Sequence, residues 1–261
     1  MNSAIGLVIA LPAEARALLG RGPWQRQGGQ VFRHSLLGKD TGLIAVRSGL
    51  GMENSLAAGR WLTKKDVAAL GSLGVSGGLD PSLEPGDIIL ADSVAQKSGD
   101  TLEQVWEAPP PFVDTALAVL KGRQIPVYRG AIITVQRPLL SARDKKRLFA
   151  QTRALAIDME SAGVALAAKE ANLPFFALRA ICDPATRTLP GDLFNSLDQA
   201  GHIHLFHILR MLLLKPALVS DLLRAKRDFA AASASLGHAW NVLIKNNLPD
   251  LVQSHFREKT L

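Results

Sequence analysis

The chain has 261 residues, a formal net charge of +7, 48% hydrophobic residues and 20% charged ones. That length buries a sizeable core in one open α/β body, and the composition excludes a disordered main body. One cysteine, Cys182, excludes an internal disulfide framework and a cysteine-rich metal site and fits a reducing compartment.

Residues 4–10 form a continuous apolar run, as in a strand covered on both faces. Pro12 stands near a helix start, Glu14 falls in the first turn, and residues 15–19 continue the helix. Residues 31–37 and 43–46 read as two strands joined by a glycine-flanked turn, which predicts a hairpin and therefore a mixed sheet. Gly49-Leu50-Gly51-Met52 leads into a helix over 53–62. The next strand, 68–75, runs into Gly74-Val75-Ser76-Gly77-Gly78, and 88–94 is another strand. Residues 97–111 read as an irregular excursion ending in three prolines. Helices are expected at 112–120, 142–150 and 160–171, with extended segments at 129–135 and 175–181. This alternation predicts a three-layer αβα sandwich with a mixed central sheet over residues 1–190.

Residues 191–261 read as a basic helical extension, with helices at 202–214, 217–232 and 240–248 separated by Pro216 and Gly237. Residues 207–261 hold eight Lys or Arg against four Asp or Glu. The stretch 208–214 is too short to span a bilayer and is broken by Arg210, and residues 5–11 are too short and lack the basic lead of a secretory signal. The positive charge is spread along the chain without a nucleic-acid motif, and aromatics are only 5%, so no nucleic-acid partner is expected.

The segment Ala156-Ile157-Asp158-Met159-Glu160-Ser161 ends one strand-like run in two acids and opens a helix. Arg179-Ala180-Ile181-Cys182-Asp183 ends a second run in a third acid. Ligands of open α/β sheets sit outside the carboxyl ends of strands, so Asp158, Glu160 and Asp183 fall at one rim. Either segment alone reads better as helix-capping acids or a turn aspartate, and the two together in this order favour a site. Gly49-Leu50-Gly51 lacks the third glycine and the later acid of a dinucleotide fingerprint. His204 and His207 lie three apart, but no carboxylate or cysteine joins them or His202 in a known ligand spacing, so no metal and no cofactor is expected.

These segments resemble the nucleoside phosphorylase and nucleosidase superfamily, whose members break the bond between ribose and base. The opening through Leu11-Pro12-Ala13-Glu14 is similar to methylthioadenosine/S-adenosylhomocysteine nucleosidases and lacks the Gly-Asp-Pro opening of phosphorylases. The resemblance implies three catalytic residues. Asp183 is the acid beside the leaving purine, Glu160 holds the ribose hydroxyls, and Glu14 activates the attacking water. It implies Met159 packed near the sugar, Asp158 as a supporting acid, and Ser76, Gly77 and Gly78 as a ligand-facing turn. Val75 stands where nucleosidases carry a serine and phosphorylases a phosphate ligand, with Ser76 displaced by one position. Arg179 is the candidate to bind water or phosphate, or else a structural ion pair. Pro138 and Leu139 fall where relatives place base-contacting residues.

Over nearly the whole chain, the run Arg179–Ala185 with Leu189-Pro190, Leu197–Ile203 and Lys215-Pro216 is similar to the hopanoid-associated phosphorylase family. That resemblance implies cleavage of adenosylhopane, an adenine nucleoside joined to a polycyclic lipid. Leu218, Leu222, Ala225 and Phe229 share one helical stripe that suits packing on the core or contact with a membrane surface. The expected location is the cytoplasm, with a peripheral place on the inner membrane left open, and relatives are commonly homo-oligomers. Hydrolysis is favoured, and phosphate remains open as the nucleophile. The alternatives are a methylthioadenosine/S-adenosylhomocysteine-type nucleosidase, a purine nucleoside phosphorylase, or a nucleoside- or lipid-binding module without activity.

Overall fold

The computed structural model describes residues 4–37, 41–189, 218–246 and 248. The predicted helix at 202–214, His202, His204 and His207, and the segment Leu197–Ile203 lie outside the described residues. Ten strands and six helices alternate along the described chain: β1 (Ala4–Ile9), α1 (Pro12–Leu19), β2 (Gln25–Gln27), β3 (Gln30–Leu37), β4 (Thr41–Arg47), α2 (Met52–Thr63), β5 (Val67–Gly78), β6 (Ile88–Ser98), β7 (Thr101–Glu107), α3 (Pro110–Lys121), β8 (Val127–Val135), α4 (Ala142–Thr152), β9 (Ala156–Asp158), α5 (Ser161–Glu170), β10 (Phe175–Asp183) and α6 (Leu218–Lys245).

All ten strands join one mixed sheet. Apolar residues of α1, α3 and α6 cover one face, with Leu18, Phe112, Leu236 and Trp240 buried there. Ala58 and Leu62 of α2 and Val164 and Ala168 of α5 cover the other. The three-layer αβα sandwich is thus observed. The continuous apolar runs of β1, β5 and β10 are buried because both faces carry helices. The hairpin of β3 and β4 is antiparallel, as expected.

Part of the sheet closes on itself. β5 pairs with β10, β10 with β6, β6 with β8, β8 with β9, and β9 returns to β5. At the point of closure Gly77 of β5 pairs with Ile157 of β9 on one side and Asp183 of β10 on the other. The two acid-bearing strands therefore flank a single backbone position. A register shift between Ile181 and Asp183 re-aims the end of β10, the usual effect of a bulge.

Two expectations are corrected. The segment 97–111 is not irregular: β7 pairs antiparallel with β6 around a turn in which Gly99 has a φ of +57°. Its residues are mostly exposed, so no apolar alternation marked it. The break expected at Gly237 is also absent, since α6 runs unbroken from Leu218 to Lys245. Gly237 is buried where α6 crosses α1, and a Cβ there would stand 2.6 Å from the Ala17 carbonyl oxygen. The glycine permits close helix approach and does not end a helix. Among the described residues, no helix is long and apolar enough to cross a membrane.

Gly237→Ala separates the two roles. Alanine in a free helix would gain up to about 1 kcal/mol. Here it meets backbone that cannot swing aside, and overpacking costs about 1–3 kcal/mol. The variant should unfold at lower urea concentration than the parent; an equal or higher midpoint would refute the close crossing.

Candidate active site

The carboxyl ends of β5, β9 and β10 open into a cavity of about 800 Å³. Glu14, Asp158, Glu160 and Asp183 all line it, with Met159, Ser76 and Gly77. Arg179 and Gly78 are not among its lining residues. Pro138 and Leu139 line it too. Exposed Arg16 and Lys226 mark its outer side.

Glu14 is held by its own helix. It is the third residue of α1, and its Oε2 accepts the Leu11 backbone N–H at 2.8 Å, closing the first turn. Its Oε1 accepts the Val75 N–H at 2.8 Å from β5. Val75 therefore contributes its backbone where a serine side chain was looked for, and Ser76 still faces the cavity. Glu14 is 2% exposed, so it is no ordinary first-turn glutamate in solvent. Burial pushes its pKa above the usual carboxylate value, against the Val75 N–H, Arg179 and the Leu11 N–H, which favour the charge.

Glu160 caps α5 and points at a second helix. Its Oε1 accepts the Gly51 N–H at 2.9 Å, at the start of α2. Anions are favoured at such an end because its N–H groups have no partner within the helix. Gly51 has a φ of +98°, a conformation that side chains resist. Gly49-Leu50-Gly51 is thus explained as an anchor for the Glu160 carboxylate. Burial raises the Glu160 pKa to about 7, with Arg179 opposing the rise and Asp158 adding to it.

Asp158 and Arg179 form the base beneath both glutamates. Arg179 Nη2 lies 2.6 Å from Asp158 Oδ2 and 3.9 Å from Glu160 Oε2, and donates to Ser72 Oγ at 2.8 Å and Ser161 Oγ at 3.0 Å. Asp158 also accepts from Thr134 Oγ1 at 2.6 Å and the Ser161 N–H at 3.1 Å. Arg179 is 1% exposed. Burial works against its charge, but Asp158, Glu160 and Glu14 outweigh it and raise its pKa. Gly74 makes room for this cation: a Cβ there would collide with Arg179 Nη1 and come 2.8 Å from Glu14 Oε1.

Asp183 has a separate cation. Lys145 of α4 is fully buried, and its Nζ donates to Asp183 Oδ2, to the Pro184 carbonyl at 3.1 Å and to the Arg187 carbonyl at 3.3 Å. Sequence reasoning passed over Lys145 because it lies in the charged run Arg143-Asp144-Lys145-Lys146-Arg147. The available signal was helical phase, since Lys145 falls three residues before Leu148, the other buried residue of α4. Burial raises the Asp183 pKa, with Lys145 the strongest opposing influence. Cys182, next in line, is no nucleophile: burial and the Asp183 charge push its thiol up to about 12.

The last described helix contributes an apolar wall. Leu222, Ala225 and Phe229 of α6 line the cavity. Arg187, also lining it, meets Asp228 of α6 at 2.6 Å and ties the loop after Asp183 to that helix. Among the described residues, no group of three or more His, Cys, Asp or Glu side chains is placed to hold a metal ion.

The arrangement brings several buried carboxyls, on two separate cations, to one cavity where they can give protons to a bound molecule or take them from it. Residues 4–203 match the family model described as Phosphorylase superfamily. The chain is 24% identical over 163 residues to the 5′-methylthioadenosine/S-adenosylhomocysteine nucleosidase of Staphylococcus aureus strain JH9, covering 56% of this chain and 71% of that protein. The futalosine hydrolase of Helicobacter pylori strain 26695 superposes with a TM-score of 0.72 at 17% identity, covering 94% of this chain and 99% of that one. The 5′-methylthioadenosine/S-adenosyl homocysteine nucleosidase of Campylobacter jejuni gives 0.68 at 21% identity, covering 93% and 97%.

Asp158→Asn tests the buried pair. It withdraws the nearest anion from a cation with no access to water, a change that typically costs about 3–5 kcal/mol. Urea unfolding of the folded variant should show a loss of that order, and a loss within experimental error would mean that Glu160 and Glu14 alone hold Arg179.

Proposed function

The chain belongs to the phosphorylase superfamily, and on that footing we propose that it cleaves the N-glycosidic bond of an adenine nucleoside that carries an apolar 5′ substituent, adenosylhopane foremost. The observation that carries this reading is the pairing of a carboxylate floor with the apolar α6 wall in one cavity. The floor supplies nucleoside chemistry and the wall suits a hydrocarbon.

In this reading Glu160 holds the ribose hydroxyls and Met159 packs on the sugar. Glu14, its pKa raised by burial, takes a proton from water as the oxygen adds to the anomeric carbon. The electron pair of the breaking C–N bond moves to adenine, which takes a proton from Asp183 and leaves neutral. The proton on Glu14 returns to Asp183 through solvent. Separate environments for two carboxyls let one act as base and the other as acid. Hydrolysis is favoured because Arg179, the expected phosphate ligand, is engaged with Asp158, Ser72 and Ser161 and does not line the cavity. A 5′-hydrocarbon offers no hydroxyl to bind, so affinity there comes from apolar contact at about 25 cal/mol per Å².

Residues 1–190 then form the nucleoside-cleaving body and 191–261 the extension that meets the lipid. Exposed Arg224, Lys226 and Arg227 on α6 suit anionic headgroups at a cytoplasmic membrane surface, from which the substrate would enter. The soluble alternative, a methylthioadenosine-type substrate, is favoured by the Staphylococcus aureus relative and needs less of the wall.

Incubation with adenosylhopane, with and without phosphate, tests the proposal. Adenine with free ribosyl lipid is expected in both, whereas a sugar phosphate formed only with phosphate would replace hydrolysis by phosphorolysis. Asp183→Asn should lower kcat on the order of 10²-fold or more, since an amide cannot give up the proton. Near-normal turnover by that variant would remove Asp183 from the mechanism. Phe229→Ala should lower kcat/KM for adenosylhopane by about tenfold, the worth of a lost aromatic contact. Methylthioadenosine should lose much less, and equal losses on both would restore the soluble substrate.

A further inference from the structure

We propose that Lys145 is a positioning residue for the acid: its ammonium grips Asp183 Oδ2 and the turn that follows, and so holds in place the carboxyl that delivers the proton to the departing base. The inference deepens the function proposed above and rests on it.

Lys145 is a fully buried cation on an otherwise charged, mostly exposed helix. All three of its ammonium hydrogens have acceptors: Asp183 Oδ2 and the carbonyls of Pro184 and Arg187. It therefore fixes both the carboxyl and the turn that follows it. The same turn is fastened elsewhere, by the Leu189 N–H to the Leu140 carbonyl at 2.8 Å. Among the described residues, the buried Asp183 Oδ1 accepts no hydrogen bond. The Asp183 side chain lines the cavity and is 13% exposed, although Oδ1 itself is shielded from solvent.

The proton inventory is simple. Asp183 carries its proton when substrate binds. As the C–N bond breaks, the electron pair goes to the base and the proton moves from the Asp183 carboxyl to a base nitrogen. The carboxylate that remains faces the Lys145 ammonium, so the charge created by the transfer has its counter-ion in place. The other charged groups around Asp183 are Arg187 on its own loop and Asp228 on α6, and these two pair with each other. Lys145 is thus the cation whose influence on Asp183 is not offset nearby.

The experiment compares pH profiles of the full chain with Lys145→Met and Lys145→Gln, both neutral, and Lys145→Arg. The alkaline limb of the wild-type profile reports loss of the proton from Asp183. An opposite charge at this range lowers a carboxyl pKa by about 1–3 units, so its removal moves the limb upward by that amount. A displaced and more basic acid also lowers kcat about ten- to a hundredfold while KM stays close to wild type. Lys145→Arg keeps the charge, so its limb stays in place. A neutral variant that folds and shows an unmoved limb, or loses KM and not kcat, overturns the role. Should neither neutral variant fold, Lys145→Arg decides: a kcat loss with the limb in place supports it, and full kcat overturns it. Absence of turnover by the wild-type protein on any adenine nucleoside would instead overturn the proposed function, and this inference with it.

Discussion

The ion cluster around Arg179 is the constraint on which the site depends. Glu14, Asp158 and Glu160 occupy one buried volume, and three acids there would repel one another and take up protons. A single guanidinium beneath them offsets part of that repulsion. Arginine suits this place because it keeps its charge under burial and offers several N–H groups in a fixed plane. Its cost appears elsewhere in the fold, since Gly74 must lack a side chain and Ser72 and Ser161 must present hydroxyls. The glycine-rich turn at the end of β5 is thus divided in purpose. Gly74 clears space for the cation, while Gly77 lets β9 and β10 come together around the cavity.

The two cations of the site impose different characters on the carboxyls they serve. Arg179 is shared, so none of its acids is wholly neutralised, and burial still lifts Glu14 and Glu160 above the ordinary range. Lys145 serves Asp183 alone. The strand closure keeps these systems apart: the first lies under β5, β9 and β10, the second at the outer turn after β10. An acid and a base of the same chemical type can then differ in protonation at one pH because they do not share a counter-ion.

Much of this was legible in the chain. Continuous apolar runs announced β1, β5 and β10, because strands with helices on both faces carry no alternation. The acids at 158, 160 and 183 were found because strand ends are where such folds bind ligands, and Glu14 only through the resemblance of the opening to methylthioadenosine/S-adenosylhomocysteine nucleosidases, since its local position suits an ordinary first-turn glutamate as well. What stayed hidden depended on tertiary neighbours. The exposed β7 is held by backbone pairing that leaves no apolar trace. Gly237 looked like a break because its reason, the Ala17 carbonyl, lies more than 200 residues earlier. Lys145 resembles its neighbours Lys146 and Arg147 until the turn after Asp183 is folded over it. No local pattern states which lysine of a charged run is buried, only which phase of the helix makes that feasible.

The place of α6 in chain order has a consequence for how the protein is made. Trp240 and Leu236 belong to the same core cluster as Leu7 and Ile9 of the first strand, and α6 also closes one wall of the cavity. Until ribosomal synthesis has passed Trp240, the part of that face not covered by α1 and α3 is bare and the cavity lacks its apolar wall. The nascent chain therefore holds apolar surface that awaits a distant partner, which makes it a good client for chaperones. The cavity wall is therefore the last part of the described site to form.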